Sequence, residues 1–267
     1  HTLLPYSATG KAKCPLPGQS RFLSSRNAAA RPISLVTVLG KLRTGKSYLL
    51  NCLAGGEVFG VSAQARSFTV GVHLSSELYE PDGASAARSA VELAETPVMA
   101  YCDMEGQGDQ GVRYDIKLAT PMLLLSQVLI LMIVCPNGPE RDSVLNDTLA
   151  TLLDAARQLH TGEEQGDQQD TDKEKDRFGH LHLVLRDCIQ SEEECDEIIF
   201  GEEDSAGAPD PESVEQRNRI RRDVLATFLS RRVWCLPQLL QPAATDHRQN
   251  QPPAWVHKMD ELRNVVK

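Results

Sequence analysis

Apolar and polar residues along this chain fall into two alternating rhythms. Residues 33–39 form a short aliphatic, β-branched run bounded by Pro32 and Gly40, the pattern of a strand buried on both faces of a parallel sheet. Next come residues 47–53, with Tyr48, Leu49 and Leu53 at helical spacing and Gly55 and Gly56 as a stop, which predict a helix. The alternation continues with strands at 98–103, 128–135, 180–185 and 233–236 and helices at 120–125, 145–159, 215–230 and 255–266. Thr120 caps the first of these helices, with Pro121 tolerated in its first turn. Leu145, Leu149, Leu152, Leu153, Ala156 and Leu159 line one face of the second. Ile220, Val224, Leu225, Phe228 and Leu229 do the same for the third. Residues 60–64 read as a loop and 67–74 as a partly extended segment. Strands alternating with helices imply a mostly parallel sheet covered on both faces and joined by right-handed crossovers.

Three segments break the rhythm. Residues 1–31 carry Pro5, Pro15, Pro17 and Ala28–Ala29–Ala30 without sustained periodicity, and read as a lead-in to a domain spanning 32–267. Residues 161–177 are dense in Asp, Glu, Gln and Lys and predict an acidic loop that cannot bury surface. Residues 191–210 are a second acidic, Gly- and Pro-punctuated stretch.

Composition narrows the class. A chain of 267 residues that is 41% hydrophobic can bury one large core. Its most apolar stretch, 122–135, contains Ser126 and Gln127 and reads as buried helix followed by buried strand rather than a membrane span. The formal charge of -9 speaks against a nucleic-acid-binding surface. Seven cysteines, odd in number and without a C-x-x-C pair, indicate neither a disulfide framework nor a zinc site, and fit a reducing cytoplasmic setting. His1 stands where an initiator Met is expected, so the chain reads as an excised domain or an incomplete chain.

The first chemical signal is Gly40-Lys41-Leu42-Arg43-Thr44-Gly45-Lys46-Ser47, which satisfies G-x-x-x-x-G-K-[ST] directly after a predicted strand and at a helix start. At ordinary residue frequencies this pattern arises by chance about once in roughly a hundred chains of this length. Glycines let the backbone N–H groups wrap a phosphate tail, and the helix N-terminus adds partial positive charge. Lys46 then reaches the outer phosphates and the Ser47 hydroxyl is placed for Mg²⁺. The expected fold is therefore an α/β P-loop NTPase three-layer sandwich. Asp103-Met104-Glu105-Gly106 ends the 98–103 strand, at the edge where a doubly wound sheet binds ligands. There Asp103 can hold the metal and the Gly106 N–H can approach the γ-phosphate.

Taken together with residues 67–71 (Ser-Phe-Thr-Val-Gly), Asp103 to Asp109 and Leu185-Arg186-Asp187, the chain resembles the guanylate-binding proteins, large GTPases of the dynamin superfamily. The resemblance implies a GTPase domain that binds GTP with Mg²⁺, hydrolyses it to GDP, in some members onward to GMP, and forms a nucleotide-dependent homodimer. It places Arg43 at an internal arginine finger, Thr69 at the Mg²⁺-binding switch threonine, Ser67 at the residue that orients the attacking water, and Glu105 at the glutamate holding that water network. Gly40 to Tyr48 and Gly106 surround the phosphates, and Arg186-Asp187 read the base. Residues 188–214 match a cap over the guanine. Val70 departs from the family's usual Lys, and the long helical domains of full-length members lie outside these residues, so membrane association of a parent protein is not indicated.

Chemistry supports the base reading independently. A carboxylate accepts two hydrogen bonds from guanine N1–H and its exocyclic amine, a pair adenine does not offer on that edge. Without the resemblance, Arg186-Asp187 reads more readily as a solvated strand end than as a base reader, and a GTP-gated interaction module with negligible turnover fits the same residues. His180 and His182 alternate on one strand with His160 nearby in sequence, but no ligand spacing accompanies them and they read as strand-face residues. Acidic residues 192–194 and 202–204 read as solvated loop.

Overall fold

The computed structural model describes residues 2–4, 31–61, 71–80, 95–107, 111–160, 177–206, 208–238 and 252–266. Its centre is a seven-stranded sheet in the order β1-β3-β4-β2-β5-β6-β7. The strands are β1 (Thr2–Leu4), β2 (Ile33–Gly40), β3 (Val72–Leu74), β4 (Val98–Met104), β5 (Ser126–Val134), β6 (Phe178–Arg186) and β7 (Phe228–Leu236). β4, β2, β5, β6 and β7 run parallel, while β3 and β1 close one edge antiparallel. From β2 the chain passes to β4 on one side and later to β5 on the other, so a topological switch point lies beside the C-terminal end of β2.

Side chains alternate across the sheet and feed two cores. Val36, Val38, Tyr101, Ile130, Val184 and Trp234 pack with helices α1 (Lys46–Ala54) and α6 (Pro253–Val266). Leu35, Leu39, Cys102, Leu129, Leu131 and Leu183 face the opposite layer. That layer holds α2 (Val112–Leu125), α3 (Ala150–His160), α4 (Glu192–Phe200) and α5 (Pro211–Thr227). Leu49, Leu50 and Leu53 of α1 are fully buried, each stabilising the docked helix by about 1.5–3 kcal/mol. The helix that begins with Lys46 and Ser47 is thus fixed rigidly to the sheet.

Several elements differ from the sequence expectation. The helix expected at 120–125 begins at Val112 and runs through Pro121; Thr120 is not its cap, since its hydroxyl donates to the Ile116 carbonyl (2.7 Å) inside the helix. The helix expected at 145–159 opens as a π-helical turn, Ser143–Leu149, before α3. The 191–210 stretch is not continuous loop: Ser191 and Glu194 form a capping box that starts α4, with Glu192, Glu193 and Glu194 in its first turn, where carboxylates favour the positive end of the helix dipole. Glu203 is likewise no solvated loop carboxylate, because Arg217, Arg221 and Arg141 bond it and pull its pKa to about 2. Phe228 and Leu229 belong to β7 rather than to the preceding helix; Phe228 pairs with Phe178 in register, their rings 6.3 Å apart. Thr2–Leu4, inside the expected lead-in, pairs with β3. The rest of the lead-in and residues 161–176 of the acidic loop lie outside the described residues.

Candidate functional site

Residues 40–47 form a closed backbone ring at the end of β2. Gly40 has φ 147°, and a Cβ there would lie 2.3 Å from the Met132 carbonyl oxygen, so the chain leaves β2 too close to β5 for any side chain. Arg43 (φ 64°) and Gly45 (φ 91°) are both left-handed and curl the loop inward. The conformation comes freely to Gly45 but at a cost of roughly 1–2 kcal/mol to Arg43. The Thr44 hydroxyl donates to the Lys41 carbonyl (3.0 Å), and Lys46 Nζ donates to the same oxygen (3.1 Å). Burial lowers the Lys46 pKa, and the carboxylates of Asp103 and Glu105 offset part of that effect. Gly45 is the N-cap of α1 with no side-chain cap bond, so the positive end of that helix opens into the ring.

The second strand end is stitched onto this ring. Gln107 N–H donates to the Gly40 carbonyl (3.0 Å) and Leu42 N–H to the Gln107 carbonyl (3.2 Å). A Cβ on Gly106 would sit 2.5 Å from Leu42 Cα, so this contact requires glycine. Ser47 Oγ donates to Asp103 Oδ2 at 2.6 Å. A hydroxyl and a carboxylate brought together beside the ring are hard oxygen donors, a set that fits Mg²⁺.

Glu105 is buried, and its Oε2 accepts from the Gly71 N–H (2.9 Å) and the Tyr114 hydroxyl (2.6 Å). The Glu105 N–H returns a bond to the Gly71 carbonyl (2.8 Å). The segment that follows Thr69 is thereby anchored to the end of β4. Nothing in the sequence marked Tyr114: one tyrosine on an amphipathic helix carries no spacing signal. Ser67, Thr69 and Val70 lie outside the described residues.

On the far side of β5, Asp187 stands just past β6 with φ 63°. Arg186 donates through Nε and Nη2 to Asp187 Oδ2 (3.0 and 2.9 Å) and through Nη1 to the Thr44 carbonyl (2.9 Å). One guanidinium therefore ties the expected base-reading carboxylate to the phosphate loop. Lys41 and Arg43 are exposed and Leu42 is half-buried. Tyr48 turns away from the ring toward α6, its ring centroid 5.7 Å from that of Trp255. Within 188–214, α4 and its capping box follow Asp187 directly. The histidines are strand-face residues: His182 Nδ1 accepts from Trp234 Nε1 (2.9 Å) and His180 Nδ1 meets Ser230 Oγ (2.8 Å).

The order and placement of these parts agree with one family, described as "Guanylate-binding protein, N-terminal domain", which matches residues 19–245. The chain belongs to the guanylate-binding protein family. As an N-terminal domain of a guanylate-binding protein it is a GTP-binding domain of the P-loop GTPase class. Among solved structures it is similar to a dimerization-deficient mutant of Toc33 from Arabidopsis thaliana, with TM-score 0.44 and 15% identity over 92% of this chain and 88% of that one. No curated protein matches the chain.

Proposed function

We propose that this guanylate-binding protein domain hydrolyses GTP to GDP with Mg²⁺ and that pairing of two domains activates it through Arg43. The observation that carries the reading is the Ser47–Asp103 contact of 2.6 Å beside a buried Lys46 inside the glycine ring. It joins the loop's metal-side hydroxyl to the strand-end carboxylate that P-loop hydrolases require.

In this reading the N–H groups from Leu42 to Ser47 and the α1 N-terminus hold the β- and γ-phosphates, and Lys46 neutralises charge at the bridging oxygen. Ser47, Asp103 and Thr69 hold Mg²⁺, which supplies compensation of the phosphate charge. Ser67 orients the attacking water, and Glu105 holds Gly71, two residues past Thr69 in sequence, against the end of β4. Asp187 accepts from guanine N1–H and the exocyclic amine, held in that orientation by Arg186. The mechanism is mostly positioning and charge stabilisation, as phosphoryl transfer demands.

Arg43 is exposed in the ring's left-handed turn, where a second domain apposed to this face would drive the guanidinium toward the phosphates. An arginine finger is worth roughly 10³–10⁵ in rate. Steady-state turnover per domain should therefore rise with protein concentration, and Arg43→Ala should flatten the rise while leaving GTP affinity within about twofold. Wild-type protein that binds GTP tightly without turnover at any concentration would instead be a GTP-gated interaction module.

A further inference from the structure

Six of the seven cysteines fall among the described residues, and none of the six is in a disulfide. The spacing of these cysteines along the chain had predicted no metal site. The fold nevertheless brings Cys188, Cys195 and Cys235 together, their sulfur atoms all within 4.8 Å of one another. Cys188 Sγ and Cys195 Sγ are 3.6 Å apart. Two parallel strand ends and a helix converge to build the group, with a third strand end beside it. Cys188 lies just past β6, Cys235 near the end of β7 and Cys195 in α4, while Cys135, just past β5, lies against Cys188.

We propose that this thiol cluster is a binding site for a soft, thiophilic d¹⁰ cation, Zn²⁺ or Cu⁺, held by the sulfur atoms of Cys188, Cys195 and Cys235. The geometry fits such an ion. A tetrahedral zinc with Zn–S bonds of about 2.3 Å spaces its sulfurs about 3.8 Å apart, close to the Cys188–Cys195 separation, whereas a disulfide requires about 2.05 Å. The donor set selects the ion class, because three sulfurs and no carboxylate among them disfavour Mg²⁺ and Ca²⁺.

Polar groups around the cluster hold its side chains and backbone in place. Cys235 Sγ donates to the Ser191 carbonyl (3.7 Å) and Cys195 Sγ to Gln190 Oε1 (3.6 Å). The Cys235 N–H is bonded to Glu192 Oε1 (3.4 Å), and the Cys188 N–H to the Leu236 carbonyl (3.1 Å). These contacts fix the side chains of the free protein; on metal binding each S–H proton is released to solvent as the thiolate forms. Cys188 follows Asp187 directly, so a bound ion would brace the strand ends from which the base-reading carboxylate emerges.

The test uses the whole chain, reduced and freed of metal, titrated anaerobically with Co²⁺ as a spectroscopic stand-in for Zn²⁺. Uptake of one equivalent with an intense thiolate-to-cobalt charge-transfer band, bleached by Zn²⁺, is expected. Cys195→Ser and Cys235→Ser should each lose the band, and Cys102→Ser, a buried cysteine outside the cluster, should keep it. A parallel arm with Cu⁺ against a chromophoric copper chelator identifies which ion is preferred. Should the serine variants fail to fold, X-ray absorption on the zinc-loaded wild type decides the matter, with a sulfur shell at about 2.3 Å expected. Folded wild type that shows no charge-transfer band, or a zinc shell of oxygen and nitrogen only, overturns the proposal and leaves three core thiols in van der Waals contact. GTP affinity measured on the same samples reports the nucleotide site separately.

Discussion

Arg186 donates to the carbonyl of Thr44 at 2.9 Å, across 142 positions of sequence. The same guanidinium holds Asp187 through two further bonds, so the residues proposed to read the base and those proposed to cradle the phosphates move as one unit. Charge-assisted bonds of this kind are each worth about 1.5–3 kcal/mol. Lysine, a point charge on a flexible stem, cannot span both partners. Arg186→Lys should weaken GTP binding by roughly 10- to 100-fold, read by fluorescent-nucleotide titration. Unchanged affinity would mean that the bridge is only a surface contact.

Gly106 offers a sharper steric test. A methyl group there would lie 2.5 Å from Leu42 Cα and 2.8 Å from Leu42 N, both backbone atoms that cannot swing aside. Gly106→Ala should separate the Asp103–Gly106 turn from the ring and lower nucleotide affinity at least about tenfold, while circular dichroism shows the sheet intact. The contact's loss corresponds to roughly 1–3 kcal/mol of overpacking strain.

Between pH 4 and 6.5, acid sensitivity should trace to His182. Burial lowers the His182 pKa from 6.5 to about 4, with His180 and Arg232 adding repulsion, and neutral His182 accepts from Trp234. Between these two values the unfolded chain binds a proton that the folded chain refuses, so stability rises with pH across that window. It is complete above about 6.5 and lost as pH falls toward 4, a span worth roughly 3 kcal/mol. His182→Gln, whose carbonyl can still accept from Trp234, should flatten the dependence of urea midpoints on pH between 4 and 6.5. A slope identical to wild type across that window would contradict the assignment, since Glu203, with its pKa pulled from 4.5 to about 2, acts below it.

Much of this site was legible because its chemistry is local. The glycine ring, Lys46, Ser47 and Asp103 are fixed by contiguous motifs at strand ends, and a strand followed by a helix gives them their position. Other relationships are set by sheet order, which the chain does not spell out. Arg186 meets Thr44 because β5, which separates β6 from β2, spaces their ends for a guanidinium to cross. Cys188, Cys195 and Cys235 meet for the same kind of reason, although their spacing resembles no ligand motif. Glu193 and Glu194 are solvent-facing as expected, yet with Glu192 they are helical rather than loop, because Ser191 and Glu194 form a capping box that an acidic run hides. Phe228 and Leu229 suited a helical period equally well, and only the pairing of β7 with β6 decides against it.

The most direct test of the central claim is a titration of the whole domain with labelled GTP in magnesium buffer, alongside Lys46→Ala, with unlabelled GTP and ATP as competitors. The account predicts saturable binding by the wild type, loss of at least about 2 kcal/mol of affinity in the variant, and displacement by GTP far more readily than by ATP. Absence of guanine nucleotide binding in folded wild-type protein, or equal binding after the lysine is removed, would contradict it.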